Sequence, residues 1–363
     1  MPAMNDPVAV LEKLVAFRTD VHEGNERAIA DHLAELLRST SPDEVAVGDV
    51  PRADGLKTSS WVYARFGTPK LLVNAHLDTV PPNSEWTADP FVPRIVDGKL
   101  YALGACDTKG AAAAILCALG DARPKDTGIL FSGDEEFSSV VMRWFLTSKY
   151  REGLERAIVC EPTNLEVGTR HRGFVAFEVT VEGPGGHSSN ADTTVSPIAL
   201  LSRLAVAYDD WAAKHKSLGP PGFPGMCVNL AKLDGGVAFN VIPPHGRLLV
   251  SVRPPPGSDS AAIFEELQAL AAKIVPGSKF TFIRQNVPFA TRDHASFVPL
   301  VGERASTPMD LGFWTEAALL ANAGIDAVVI GPGDIKQAHG PDEWVLVEEL
   351  HQARAMFRAM FAG

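Results

Sequence analysis

Five short segments of the chain carry histidines and carboxylates that could hold a metal ion. They are His76-Leu77-Asp78, Asp107, Asp134-Glu135-Glu136, Glu161 and His339. His76 directly follows an apolar run, and the acidic residues at 134–136 and 161 follow two more such runs. Open α/β sheets usually place their sites at these strand ends. Mixed imidazole and carboxylate ligation suits zinc or cobalt better than calcium or magnesium.

Each of these residues also has an ordinary structural explanation. A single histidine is more often a satisfied surface or core residue than a ligand, and a lone aspartate after a strand is often a helix cap. Paired glutamates usually face solvent. The combination of five segments, two of which contribute a histidine, favours a metal centre. No function is assigned to six histidines outside these segments: His22, His32, His215, His245, His294 and His351.

The elements predicted around these residues indicate an α/β fold. Apolar residues at helical or strand spacing predict helices at the N-terminus, over 25–38, from residue 109, near 313–322 and near 346–361, and strands at 58–66, 71–75, 129–131, 157–159 and 327–330. A hairpin is expected to turn at Asp97-Gly98. Strands that alternate with helices predict a sheet covered on both faces.

The middle of the chain follows a different pattern. It predicts a strand near 177–181, a helix near 196–216, two strands near 226–232 and 247–253, a helix near 259–273 and a strand near 279–284. The order β-α-β-β-α-β is that of a ferredoxin-like domain. We therefore expect one discontinuous catalytic domain, residues 1–171 and 285–363, with residues 172–284 inserted into it.

Length, charge and composition exclude several classes of function. A chain of 363 residues is too long for one ordinary core, which agrees with two domains. The net charge of −11 argues against nucleic acid or an anionic membrane as partner. No apolar stretch approaches the ~20 residues that a membrane span needs, and the N-terminus lacks signal-peptide features. The expected location is the cytoplasm. The four cysteines form no CxxC pair.

Five motifs resemble those of the di-zinc aminoacylase and acetylornithine deacetylase family. They are His76 to Pro81, Gly104 to Gly110, Asp134 to Glu136, Cys160 to Thr163 and Gly185-Gly186-His187-Ser188-Ser189. The similarity runs in order over nearly the whole chain. It implies a metallopeptidase-like α/β catalytic domain whose inserted ferredoxin-like domain serves as a lid and dimerisation domain. It also implies two divalent ions per subunit, Zn²⁺ or Co²⁺.

The resemblance implies five metal ligands. His76 and Glu161 would hold one ion, and Glu136 and His339 would hold the other. Asp107 would bridge the two ions. None of the ligand positions is missing from the chain.

Three further residues would assist the chemistry. By the same resemblance, Asp78 would orient His76 and Glu135 would act as the general base. His187 would reach a substrate-bound site, often that of the other subunit, which implies a homodimer. The alternative is that His187 is only a structural residue of its glycine-rich turn.

Substrate contacts are expected at Arg253, Asn240 and Arg172, which match family positions that touch substrate. The planar guanidinium of arginine can bind a substrate carboxylate through two hydrogen bonds. Each of these three residues could instead form a surface salt bridge or a structural cap. Thr315 and Glu316 also belong to the expected substrate-binding set, although Glu316 could simply pack against the metal-binding loop.

The segments 313–317 and 331–339 resemble acetylornithine and acetylcitrulline deacetylases. The resemblance implies removal of the acetyl group from N-acetylornithine or N-acetylcitrulline in arginine biosynthesis, and the sequence leaves the choice open. The enzyme alternatives are a succinyl-diaminopimelate desuccinylase or a related N-acyl-amino-acid or dipeptide hydrolase. A non-catalytic metal-binding scaffold is the alternative of a different class. A nucleotide enzyme is disfavoured because the glycine-rich stretches lack phosphate-binding motifs.

Overall fold

The computed structural model describes residues 4–22, 25–52, 55 and 57–363, which form two compact units. Unit 1 is built from the described residues of three stretches, Met1–Thr169, Thr291–Met309 and Thr315–Gly363. Unit 2 is built from Arg170–Ala290 and Asp310–Trp314. Among the described helices, none is long and apolar enough to cross a membrane.

Helices and strands are interspersed along the whole of the described chain. The first part of the chain contains α1 (Pro7–Val15), α2 (Glu26–Arg38), β1 (Glu44–Pro51), β2 (Thr58–Phe66), β3 (Leu71–His76), β4 (Arg94–Val96), β5 (Lys99–Tyr101), α3 (Lys109–Asp121), β6 (Thr127–Ser132), α4 (Val140–Phe145) and β7 (Arg156–Val159). The middle contains β8 (Gly168–His171), β9 (Phe174–Glu182), β10 (Gly186–His187), α5 (Pro197–His215), β11 (Cys227–Asp234), β12 (Val241–Ile242), β13 (His245–Arg253), α6 (Ser260–Ile274), β14 (Lys279–Asn286) and β15 (Phe289–Ala290). The last part contains α7 (Val298–Val301), β16 (Met309–Leu311), α8 (Ala317–Asn322), β17 (Asp326–Val329), β18 (Trp344–Leu346) and α9 (Val347–Ala362).

Six strands of unit 1 lie side by side in a mixed sheet, in the order β1-β2-β6-β3-β7-β17. Four of them, β6, β3, β7 and β17, run parallel to one another. β2 and β1 extend this set with antiparallel pairing. Since the carboxyl ends of parallel strands meet at one edge, the segments that follow these four strands converge there.

The parallel strands are buried almost throughout, which explains why they are continuous apolar runs. α3 packs against α1, α9 and β3 and is buried along most of its length. Its four successive alanines, Ala111 to Ala114, are small enough for these elements to approach closely. This packing fixes the start of α3, just after Asp107, relative to the strand ends.

Most of the elements predicted for unit 1 are confirmed. β2 spans the predicted 58–66, and the hairpin turns at Asp97-Gly98, whose φ angles of 50° and 74° are those of a type I′ turn. The helix predicted over 313–322 is wrong in its first turn, because α8 begins at Ala317 and residues 310–314 belong to unit 2. β1 was not predicted, although it pairs with β2 along its whole length.

Unit 2 contains a four-stranded antiparallel sheet in the order β11-β13-β9-β14. Alternate residues of β9 and β13 are buried in one core with α5 and α6. The predicted element order β-α-β-β-α-β is confirmed for these six elements. A two-stranded ribbon of β10 and β12 is additional, and it carries His187 opposite Val241.

Candidate active site

Asp107 lies between two histidines of unit 1. Its Oδ1 is 2.9 Å from His76 Nε2, and its Oδ2 is 3.4 Å from His339 Nε2. Glu136 Oε1 is 2.8 Å from the same nitrogen of His339. A carboxylate whose two oxygens face different imidazoles has the arrangement that a bridging ligand needs. Asp107 is buried, whereas the side chain of His339 is 51% exposed.

Asp78 positions both His76 and the loop that follows β6. His76 Nδ1 is 2.9 Å from the backbone oxygen of Asp78 and 3.7 Å from its carboxylate. Because a carbonyl oxygen only accepts, Nδ1 carries the proton, and Nε2 is the nitrogen left for a metal. The carboxylate of Asp78 instead accepts hydrogen bonds from the backbone N–H of Glu135 and Glu136, at 3.1 and 3.0 Å.

A buried ion cluster holds the loop 133–136 from its other side. The Arg52 guanidinium lies 3.0 Å from Asp134 Oδ1 and donates to Glu26 Oε1 at 2.7 Å. All three side chains are buried. A Cβ on Gly133 would lie 1.9 Å from Glu26 Oε2, so only glycine fits there. This cluster was not predicted, since nothing in the local sequence marks Arg52 or Glu26.

Glu343 holds the turn that carries Asp107. Its buried carboxylate accepts the backbone N–H groups of Gly104, Cys106 and Asp107, at 3.1, 2.8 and 3.0 Å. Lys109 is also buried, and its ammonium donates to the backbone oxygen of Phe17 at 3.0 Å. Burial lowers the pKa of Lys109 to about 8. Glu343 stands four residues after His339, and that proximity is the only sequence signal that could have identified it.

Glu161 is the second residue after β7, and it is buried. Its main chain packs against Gly331, where an added Cβ would lie 2.6 Å from the Glu161 backbone oxygen. Its negative charge helps to raise the pKa of His76. Among the described residues, one group has candidate ligand atoms that all lie within 4.8 Å of one another. It consists of His76, Asp107 and Glu136, and it includes neither Glu161 nor His339.

The site concentrates negative charge. Burial raises the pKa of Glu135 and Glu161 well above the usual range, and neighbouring carboxylates raise it further. Burial lowers the pKa of His76, but the hydrogen bond to Asp107 and nearby charges outweigh burial and raise it overall. Hydrogen bonds to Asp107 and Glu136 raise the pKa of His339 to about 10.

This donor set fits divalent cations. Positive charge would offset the repulsion among the carboxylates, and the mixture of imidazole nitrogen and carboxylate oxygen is one that zinc and cobalt accept. Because the imidazoles must be neutral to bind a metal, loading the site would release protons.

Thr315 and Glu316 are fully buried in unit 1. Glu316 Oε2 accepts a hydrogen bond of 3.2 Å from Ser132, the last residue of β6. Burial raises the pKa of Glu316 to about 8. Thr315 Oγ1 accepts the backbone N–H of Ala317 at 3.3 Å, at the start of α8. Glu316 thus supports the end of β6 and Thr315 the start of α8. A substrate contact for either residue stays a prediction.

The remaining predicted site residues lie in unit 2. His187 and Asn240 are both exposed. The backbone N–H of Ser188, the residue after His187, donates to the Asn240 backbone oxygen at 3.0 Å. His187 Nδ1 is 2.8 Å from Ser189 Oγ. Arg253, at the end of β13, is exposed, and its guanidinium lies over the Phe174 ring at 4.5 Å from the centroid.

Arg172 has a structural set of partners. Its guanidinium donates to the backbone oxygens of Gly225 and Pro224, at 2.7 and 3.0 Å, and lies near the ring of Phe223. These bonds hold the loop at 223–225 within unit 2. Its expected contact with substrate stays a prediction.

Comparison with known proteins gives consistent matches. The model of peptidase family M20/M25/M40 matches residues 72–362. The chain is 33% identical over 356 residues to the N-acetyl-L-citrulline deacetylase of Xanthomonas campestris pv. campestris, covering 94% of this chain and 93% of that protein. It is 33% identical over 305 residues to the acetylornithine deacetylase of Myxococcus xanthus, covering 80% and 79%.

Solved structures share the fold at low sequence identity. An M20 family metallo-carboxypeptidase from Sulfolobus solfataricus has a TM-score of 0.75 at 16% identity, covering 98% of both chains. A dinuclear metal binding peptidase of the M20 family from Bacillus subtilis has a TM-score of 0.69 at 16% identity, covering 98% of this chain and 96% of that one.

Replacing Gly331 by alanine tests the packing behind Glu161. The new Cβ would meet a backbone atom, so Glu161 must move. We expect a loss of about 1–3 kcal/mol in the free energy of unfolding and weaker binding of Co²⁺, measured by urea unfolding and calorimetric titration. Gly120→Ala is the control, because the nearest atom to its Cβ is 3.6 Å away. A Gly331→Ala protein equal to Gly120→Ala in both measurements would contradict this packing argument.

Proposed function

The chain belongs to peptidase family M20/M25/M40, and on that basis we propose that it is a di-metal amidohydrolase that removes the acetyl group of N-acetylornithine or N-acetylcitrulline. The observation that carries the proposal is the Asp107 carboxylate, whose two oxygens face His76 and His339. Relatives that match most of the chain at 33% identity are named as deacetylases of these two compounds. The proposal places the reaction in arginine biosynthesis and in the cytoplasm.

The proposed ligands form two sets around Asp107. His76 and Glu161 would hold one ion, Glu136 and His339 the other, and Asp107 would be shared. The short distances from Asp107 to both histidines and from Glu136 to His339 support this division. We propose Zn²⁺ or Co²⁺ as the ions. When bound, such a pair polarises the acyl carbonyl and lowers the pKa of the attacking water.

Glu135 is the proposed general base. It is the neighbour of Glu136, and its backbone is held by the carboxylate of Asp78. Burial and nearby carboxylates raise its pKa, and a raised pKa makes a carboxylate a better proton acceptor. Glu135 would take the proton of the attacking water and deliver it to the departing amine nitrogen.

Recognition of the substrate is assigned to residues of unit 2 in this proposal. The substrate carries an α-carboxylate, and the exposed Arg253 and Asn240 offer the charge and the hydrogen-bond donors to bind it. His187, exposed on its ribbon, would assist at the acyl oxygen as a hydrogen-bond donor.

A homodimer through unit 2 is part of the proposal. β11 is an edge strand of the described sheet, and its Leu230 and Leu233 are 38% and 41% exposed. On α5, Val206 is 62% exposed. Proteins seldom leave a long edge strand with exposed leucines uncovered, and a second copy of the same surface would cover it symmetrically.

Metal removal and substrate choice test the reaction. We expect the purified protein to release amine from N-acetylornithine or N-acetylcitrulline, to lose this activity with a chelator and to regain it with zinc or cobalt. The two compounds are assayed side by side with N-succinyl-diaminopimelate and a dipeptide panel. Turnover of only the last two would replace the proposed deacetylase with a desuccinylase or dipeptidase, and no turnover despite bound metal would favour the scaffold alternative.

Glu135→Ala tests the general base. Without a group to move the proton, kcat should fall by about 10²–10⁴-fold, while Co²⁺ binding, followed by calorimetry, stays within a few-fold of wild type. Glu35→Ala, an exposed glutamate on α2, is the control and should keep full activity. Wild-type turnover by Glu135→Ala would remove Glu135 from the mechanism.

Mixing two inactive variants tests whether His187 acts in the other subunit. Half of randomly exchanged dimers of His187→Ala and Glu135→Ala are heterodimers, and each has one complete site if His187 acts across the dimer. The mixture should therefore recover about a quarter of wild-type activity, in a protein that sediments as a dimer. Recovery of no activity would place His187 in its own subunit's site, and a fully active monomer would refute the dimer.

A further inference from the structure

Glu343 is a buried carboxylate that none of the predicted roles uses. It is 2% exposed, and its two carboxylate oxygens accept three hydrogen bonds from backbone N–H groups of the Asp107 turn. Oε1 accepts from Cys106 and Asp107, and Oε2 accepts from Gly104. The backbone oxygen of Glu343 also accepts the N–H of Ala102 at 3.1 Å. The residue therefore contacts the turn through both its side chain and its main chain.

The segment that carries Glu343 also carries His339. The preceding residue, Asp342, accepts hydrogen bonds from the backbone and hydroxyl of Thr87 and from the guanidinium of Arg94. Directly after Glu343, β18 pairs with β5. The chain between 339 and 346 is thus fastened on both sides of Glu343. A carboxylate fixed in this way ties the Asp107 turn to the His339 segment.

We propose that Glu343 is a positioning residue for the shared metal ligand. Through its bonds to the 104–107 turn, it sets the position of the Asp107 carboxylate relative to His339. This inference rests on the proposed function, because it assumes that Asp107 and His339 hold metal. Replacing a group that hydrogen-bonds to a metal ligand and orients it commonly lowers metal affinity by about 10–100-fold.

Glu343→Gln tests this role with little change in shape. A glutamine offers one acceptor oxygen, and its NH₂ group would face at least one backbone N–H of the turn, so a hydrogen bond is replaced by a contact between two donors. The Asp107 turn should shift away from the amide. Metal affinity should respond, because Asp107 is the ligand that both ions would share.

Asp326→Asn is a matched control in the same unit. Asp326 is also buried, and its two oxygens accept backbone N–H groups of Arg292 and Asp293, at 2.9 and 3.0 Å. It is the first residue of β17, so it lies at the opposite edge of the sheet from the strand ends that carry the ligands. The asparagine creates the same donor conflict as Glu343→Gln, but away from the metal ligands.

The measurements are calorimetric titration of the metal-free proteins with Co²⁺, the visible absorption of the cobalt-loaded proteins, and urea unfolding without metal. Both variants should lose unfolding free energy. Glu343→Gln alone should bind Co²⁺ at least tenfold more weakly than wild type, with a changed visible spectrum at saturation, whereas Asp326→Asn should stay within about threefold. If Glu343→Gln does not fold, Glu343→Asp is measured in its place, since it keeps both oxygens one methylene farther from the turn.

A Glu343 variant that matches Asp326→Asn in Co²⁺ affinity and spectrum would overturn the inference and leave Glu343 a structural role only. A wild-type protein that takes up no Co²⁺ would overturn the inference together with the proposed function. A wild-type protein that binds Co²⁺ but hydrolyses no acyl amino acid would refute the proposed function alone. In that last case the comparison between Glu343 and Asp326 still decides the role of Glu343.

Discussion

Repulsion among buried acids is the constraint on which the rest of unit 1 depends. Five carboxylates gather at one edge of its sheet: Asp78, Asp107, Glu135, Glu136 and Glu161. Burial strengthens every charge interaction there, because little water remains to screen it. Burial raises the pKa of Glu135 and Glu161, and repulsion from the neighbouring carboxylates raises it further. A fold that keeps these acids together needs hydrogen bonds or ion pairs that hold the acids and their loops in place. Bound cations would offset the remaining repulsion.

Backbone amides supply many of those attachments. Asp78 accepts two N–H groups of the loop after β6, and Glu343 accepts three from the Asp107 turn. Arg52 adds a buried cation behind Asp134. Main-chain donors cannot rotate away as side chains do, so each acid is held by the sheet and its turns. The positions of the proposed ligands are therefore fixed by the same packing that forms the core.

The sequence predicts the edge where the site lies, but not what supports it. The acidic and histidine residues could be found because each follows a strand or stands in a short motif. Arg52 could not be found in this way, and Glu343 could be found only through its nearness to His339. Their partners lie far away in the chain, as with Glu343 and Gly104, 239 residues apart. Asp78 was expected to orient His76, and the ring Nδ1–H donates to the backbone oxygen of Asp78 rather than to its carboxylate. The first turn of the helix predicted at 313 was wrong because that segment belongs to unit 2.

The division of unit 1 into three stretches of chain has a consequence for biosynthesis. Four of the five proposed ligands lie before residue 170, but β17 and His339 are made only after the whole of Arg170–Ala290. On the ribosome, the continuous main part of unit 2 can fold while unit 1 still lacks β17 and α9. Until the last residues emerge, the acids that follow the early strands have no complete sheet around them. Pairing strands that lie as far apart in the chain as β7 and β17 is slow. Unit 1 is therefore the later of the two units to complete its fold. The nascent chain most needs protection from aggregation before that point.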